Sequence, residues 1–178
     1  MSGVPHRPPP NAAALHADRS VGGRAVLELR RFLRHPPERV WTAITDPAEL
    51  RHWYLSEVHI EGRVGGRVES TTGSFRVRAT GRVLAWEPPR LFEHEWNVDP
   101  SAGFPKGEVS VVRWELAPFE DGTLLTLTHR DLTPSTARGF RAGAEAFLDR
   151  LVAQLDGVPL PEWETRIREL RDAGSAAE

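Results

Sequence analysis

The spacing of apolar positions changes character three times along this chain. In "AVLELRRFLRH", Leu27, Leu29 and Leu33 share a parity, as a strand with one buried face requires. Pro36 and Pro37 end that strand and pre-set a first helical turn, with Glu38 where the helix dipole favours an anion. Val40, Trp41 and Ile44 then recur at helical spacing. Asp46 before Pro47 marks a restart, an N-cap carboxylate followed by proline at the first helical position. The second short helix carries Leu50, Trp53 and Tyr54.

Beyond Leu55 the period becomes two, with Gly, Pro, Asp and Asn marking turns. Six segments follow: "SEVHIEG", "GRVEST", "SFRVRATGRVLAWE", "RLFEHEWNV", "EVSVVRWELAPF" and "TLLTLTHRDL". The last two read as a hairpin in which Asp121-Gly122 supplies the positive-φ positions. From Pro134 the pattern is helical again. Ala144, Phe147, Leu148, Leu151, Val152 and Leu155 form an apolar stripe that runs to Gly157, a C-terminal stop. A short helix with Trp163, Ile167 and Leu170 on one face, and Glu164 and Arg168 as an i,i+4 pair, is expected after it. The fold class is therefore α+β: a meandering antiparallel sheet of about seven strands, two short helices after the first strand, and one long helix large enough to cover the sheet's apolar concave face. Residues 1–24 mix Pro, Ala and Gly without periodicity and are expected to be a disordered tail. A domain over 25–157 and a terminal helix with a frayed end over 158–178 complete the division.

Composition narrows the function. A formal charge of −2, from 23 basic and 25 acidic residues, supplies no field for phosphate backbones or anionic lipid, so neither nucleic acid nor membrane is expected as a partner. The chain has no cysteine, which removes disulfides, thiolate nucleophiles and cysteine-ligated metal sites. No apolar run approaches a membrane span and no signal-peptide order is seen, so a cytoplasmic location is expected. The glycines of "RVGGR" lie between strand segments and not before a helix. They read as a bend that curves the sheet and not as a phosphate cradle.

Strand parity places a few polar groups among apolar ones. Phe92, His94 and Trp96 share one face of their strand, and Leu125, Leu127 and His129 share one face of another. An inward histidine can orient a ligand or move a proton, but the commoner role is a ring satisfied by a backbone carbonyl. His94 and His129 are the only catalytic candidates, and both are weak. No third ligand has a defined spacing to them, so no metal and no cofactor is expected. In "EVSVVRWEL" both faces are partly apolar, and Arg113 reads as solvated. Arg76, Arg78 and Arg82 alternate with Phe75, Val77 and Val83 as a solvent face. Trp41 is expected as a core anchor, with Trp53 or Tyr54 at a cavity rim.

The stretches "LELRRFLRHPPERVWTAITDPAELRHWYL", "EGRVGGRVE", "GRVLAWEPPRLFEHEW", "VRWELAPFEDGTLLTLTH" and "ARGFRAGAEAFLDRLVAQLDG" resemble, in order, the SRPBCC superfamily, and within it the small bacterial relatives of the activator of heat-shock protein 90 ATPase. The resemblance implies a helix-grip fold, in which a curved sheet grips the C-terminal helix around a hydrophobic cavity. Members range from lipid and hormone carriers to aromatase/cyclases. The family's Gly-Trp opening of the last helix is Gly139-Phe140 here. The function expected is binding of a small hydrophobic molecule, lined by Trp53, Tyr54, Phe75, Val77, Phe92, His94, Trp96, Trp114, His129, Phe140 and Phe147. Two alternatives stand beside it. One is a cyclase-, dehydratase- or hydrolase-like enzyme in the same cavity. The other is a co-chaperone-like or homodimeric interaction module, which predicts an exposed apolar patch in place of an internal void.

Overall fold

The computed structural model describes residues 12–16, 23–72, 76–101 and 103–175. The elements are β1 (Ala12–His16), β2 (Ala25–Leu33), α1 (Pro37–Thr45), α2 (Pro47–Trp53), β3 (Ser56–Ile60), β4 (Arg67–Thr72), β5 (Val77–Glu87), β6 (Leu91–Val98), β7 (Glu108–Phe119), β8 (Gly122–Leu132), α3 (Pro134–Asp156) and α4 (Trp163–Ser175). All the strands belong to one antiparallel sheet with the order β1-β2-β8-β7-β6-β5-β4-β3. From β3 to β8 each strand pairs with the next in sequence. β2 lies beside β8, so α1 and α2 carry the chain from that side of the sheet to β3 at the opposite edge.

Local chemistry sets the helix ends. The Asp46 carboxylate accepts from Ala48 N at 2.8 Å with Pro47 as the first residue of α2, and Gly157 closes α3 in the left-handed conformation at φ 66°. At the other end of α3, Thr133 is the N-cap, and the buried Glu108 carboxylate accepts from both its amide and its hydroxyl at 3.2 Å. A carboxylate beside a helix N-terminus meets unpaired N–H groups and the positive end of the dipole, so the start of α3 is pinned to the first residue of β7.

The core lies between the sheet and the helices. Leu27, Leu29 and Leu33 of β2, Leu125 and Leu127 of β8, and Val112, Trp114 and Leu116 of β7 join Val40 and Ile44 of α1 and Leu148, Leu151 and Leu155 of α3 in one cluster. The ambiguous parity of β7 resolves with Ser110, Val112 and Trp114 inward. Arg113 sits on the outer face, paired with Glu93 at 3.0 Å and Glu115 at 2.9 Å.

Three expectations are corrected. Ala12–His16, assigned to a disordered tail, forms β1, in register with β2 from Ala12 opposite Arg30 to His16 opposite Val26. The five residues AAALH show no alternation that would mark a strand, and pairing with the β2 edge supplies what the pattern lacks. The β7–β8 turn has its positive φ at Glu120 (52°), not at Asp121-Gly122. Gly122 is needed for a different reason, because a Cβ there would lie 2.1 Å from the Leu33 carbonyl oxygen. Finally, the anchor among the clustered aromatics is Trp53, which is fully buried and donates Nε1–H to Ala43 O at 2.8 Å. Trp41 is half-buried, edge-on to Trp86 at 5.0 Å.

Candidate functional site

α3 does not touch the sheet evenly along its length. Ala137 near its start and Leu148, Leu151 and Leu155 in its second half are buried, whereas Phe140, Ala144 and Phe147 between them are only partly so. The reason is side-chain size. Ala144 presents only a methyl group at mid-helix, and Gly143 beside it faces Trp163 and Ile167 of α4, so apart from the contacts of Phe140 with Trp96 and His129 space is left between α3 and the inward side chains of the sheet. The result is a cavity of about 670 Å³. Val112, Trp114, Leu127 and Leu148 form its apolar interior, while the exposed Leu55, Arg76, Arg78, Asp99, Pro100 and Ser101 mark its mouth.

Of the eleven expected lining residues, Tyr54, Val77, Trp96, Trp114, His129, Phe140 and Phe147 line this cavity. Trp53, Phe92 and His94 do not. They border an adjoining recess of about 40 Å³, which shares Tyr54, Trp96, Val112 and Trp114 with the larger space. Trp53 is 0% exposed and packs edge-on to Trp114 at 6.3 Å, so it supports the wall from behind. Phe75 lies outside the described residues. Arg76 and Arg78, expected on a plain solvent face, are exposed but stand at the mouth.

Two further residues, absent from the expected lining, complete the wall. Phe104, in the β6–β7 connection, meets Trp96 at 6.0 Å and Phe140 at 5.9 Å between ring centres. Trp163, the first residue of α4, stacks on Phe147 at 5.1 Å and donates Nε1–H to Gly143 O at 3.4 Å. Its position depends on Arg150, a 7%-exposed guanidinium on α3 that donates to Trp53 O at 2.9 Å, His52 O at 2.7 Å and Pro161 O. This one side chain joins the C-terminal end of α2, α3 and the segment before α4. The last carbonyls of α2 form the negative end of its dipole and so favour a cation, and the Glu162 carboxylate adds a Coulombic attraction. Burial pushes the Arg150 pKa down from its ordinary value.

Desolvation shifts three titratable groups of the cavity and its recess, Tyr54, His94 and His129. Burial pushes the Tyr54 phenol up to about 12, opposed by its hydrogen bond with Thr72. His94 is lowered to about 4, mainly by burial, with the Glu95 carbonyl and Glu93 acting against the shift. His129 is lowered to about 3 by burial and by the neighbouring His94. Both imidazoles are therefore neutral at pH 7. His94 Nδ1–H donates to Glu95 O at 2.8 Å, since a carbonyl can only accept. His129 Nε2 is 2.8 Å from Ser110 Oγ, whose hydroxyl donates to Trp96 O at 2.9 Å. The ring of His129 packs edge-on to Trp96 at 5.4 Å and tilted against Phe140 at 5.7 Å. Among the described residues no three His, Asp or Glu side chains converge as a metal site, and no helix is long and apolar enough to cross a membrane.

The family described as "Activator of Hsp90 ATPase homolog 1-like protein" matches residues 34–156 of this chain. Among solved structures, CalU16 from Micromonospora echinospora is similar at 26% identity and a TM-score of 0.71, over 93% of this chain and 96% of that one. Protein MLL2253 from Mesorhizobium loti matches at 26% identity and a TM-score of 0.67, over 76% of this chain and 99% of its own. Mll3558 from Rhizobium loti matches at 25% identity and a TM-score of 0.63, over 74% and 96% of the two chains. No curated protein is similar to this chain in sequence.

Proposed function

We propose that this chain, which belongs to the Activator of Hsp90 ATPase homolog 1-like family and shares its generally ligand-binding SRPBCC fold, binds a small, largely apolar molecule between the sheet and α3. The observation that carries the reading is the cavity of about 670 Å³, walled by Trp96, Trp114, Phe140 and Phe147 and open at one end. That volume lies within the range of roughly 300 to 1,000 Å³ usual for small-molecule sites, and its lining is apolar with isolated polar groups, as such sites require.

The histidines support binding over turnover. Each ring commits its proton to an acceptor of the protein itself, and burial leaves each a much weaker base than an ordinary imidazole. A general base works best with a pKa near the operating pH. An interaction module would need a continuous apolar patch outside. Among the described residues the large exposed apolar side chains are few: Leu55, Val109 and Val158 lie on separate elements, Val64 and Leu84 flank the hydrogen bonds of Gly65 and Gly66 with Val83, and the outer face near β6–β8 carries the Arg113–Glu93–Arg130 ion pairs.

The test is a fluorescence titration with N-phenyl-1-naphthylamine, a neutral probe that brightens in apolar surroundings. A saturable rise with one site per chain, abolished in Ala144→Trp, is expected. No rise with folded wild-type protein refutes cavity binding.

A further inference from the structure

The hydrogen bonds around His129 determine which of its nitrogens carries the proton. Ser110 Oγ has one proton. It is 2.9 Å from Trp96 O, which can only accept, and 2.8 Å from His129 Nε2. The hydroxyl proton therefore goes to the carbonyl, and Nε2 must bring the proton to Oγ; the opposite arrangement would set two oxygen lone pairs against each other. His129 is thus the Nε2–H tautomer, with its lone pair on Nδ1. That nitrogen has no hydrogen-bond partner among the described residues, on a ring that lines the cavity. His94 is locked in the opposite sense. Its Nδ1–H is held by Glu95 O, and its unpartnered Nε2 lone pair belongs to a ring that borders the recess.

Buried polar atoms are nearly always paired, so an unpaired acceptor on a cavity wall marks the complement of what the cavity takes. We infer that the cavity selects an apolar molecule bearing a hydrogen-bond donor, a hydroxyl or N–H, and that His129 Nδ1 is the acceptor that orients it. This rests on the cavity-binding reading and adds the chemistry of its ligand. A ligand group with acceptors alone, such as an ether or ketone, would face a lone pair and leave it unpaired. Discrimination then follows from the penalty of burying an unsatisfied acceptor. Trp96 and Phe140, which also meet each other at 5.4 Å, both pack against the imidazole and, with the Ser110 hydrogen bond, hold the ring's direction.

The experiment compares 2-naphthol with its methyl ether by isothermal titration to wild-type protein and to His129→Phe, and reads the tautomer separately by ¹⁵N NMR of the imidazoles. Wild-type protein should prefer the naphthol by about five- to tenfold, the worth of one neutral hydrogen bond. His129→Phe should bind both compounds with that preference gone. The wild-type spectrum should show His129 with an unprotonated Nδ1. Equal wild-type affinities, a preference that survives His129→Phe, or a protonated Nδ1 overturns the assignment and leaves cavity binding intact. Absence of binding by either compound overturns both. If His129→Phe does not fold, the wild-type affinity ratio and the tautomer decide.

Discussion

Replacing Ala144 with leucine adds three carbons to the face of α3 that stands off the sheet. Ala144 lines the cavity, so the new atoms enter existing space and displace no packed neighbour. At about 0.8 kcal/mol per buried methylene the gain is about 2.4 kcal/mol. Fixing the leucine rotamer costs about 0.5–1 kcal/mol, which leaves a net stabilisation of about 1–2 kcal/mol. For a chain of this size that raises Tm by about 2–8 °C. The same substitution on a close-packed face would cost about 1–3 kcal/mol through strain, so the sign of the effect reports whether α3 and the sheet are apart. Urea denaturation of wild type and Ala144→Leu, compared at constant m-value, measures it. A midpoint that falls by the equivalent of 1 kcal/mol or more refutes the open interior. The variant should also weaken N-phenyl-1-naphthylamine binding, because the side chain and the probe compete for one volume.

Two further predictions concern stability. His94 and His129 are depressed from an ordinary 6.5 to about 4 and about 3. Between those values the unfolded chain binds protons that the folded chain refuses, so stability is full above about 6.5 and falls as the pH drops through that window. The slope is about 1.4 kcal/mol per pH unit for each histidine. Denaturation between pH 6.5 and 5 should show this loss. His129→Phe should reduce the slope by about 1.4 kcal/mol per pH unit, and an unchanged slope would mean that the ring is not desolvated. Arg150→Met removes the donor to His52 O, Trp53 O and Pro161 O. It should cost about 2–4 kcal/mol in thermal or chemical denaturation, at about 1–3 kcal/mol for each acceptor left buried and partial access of water to the others. Hydrogen exchange should show α4 released first, whereas uniform protection would deny that this side chain docks it.

The sequence made visible those features whose cause is local. Asp46-Pro47 caps α2 by its own carboxylate, and Gly157 ends α3 by its own φ, so both could be read from neighbouring residues. The alternation in β6 and β8 placed His94 and His129 inward because each strand has one apolar face, and both rings are buried at 9% exposure. β7 has valines on both faces, and only its pairing with β6 and β8 decides the parity. The same limit applies to the aromatics. Trp53 and Tyr54 adjoin in sequence, but Trp53 turns to Ala43 O and Trp114 while Tyr54 meets Phe147 at 4.7 Å on the cavity wall. Phe104 and Trp163 reach the cavity through a loop and through the return of α4. Phe104 is an isolated aromatic in a Pro- and Gly-rich connection, and the apolar face that Trp163 shares with Ile167 and Leu170 shows that the last helix packs but not against what. The division between cavity and recess was not legible either, because it depends on which side of Trp96 and Trp114 a neighbour falls.

Xenon enters apolar cavities and is visible by its electron density, so a crystal pressurised with xenon puts the open space itself to measurement. Xenon bound between the sheet and the middle of α3, against Trp96, Trp114 and Phe147, is the predicted result. A crystal in which these side chains meet Leu127 and Ala144 directly and no xenon binds there would contradict it.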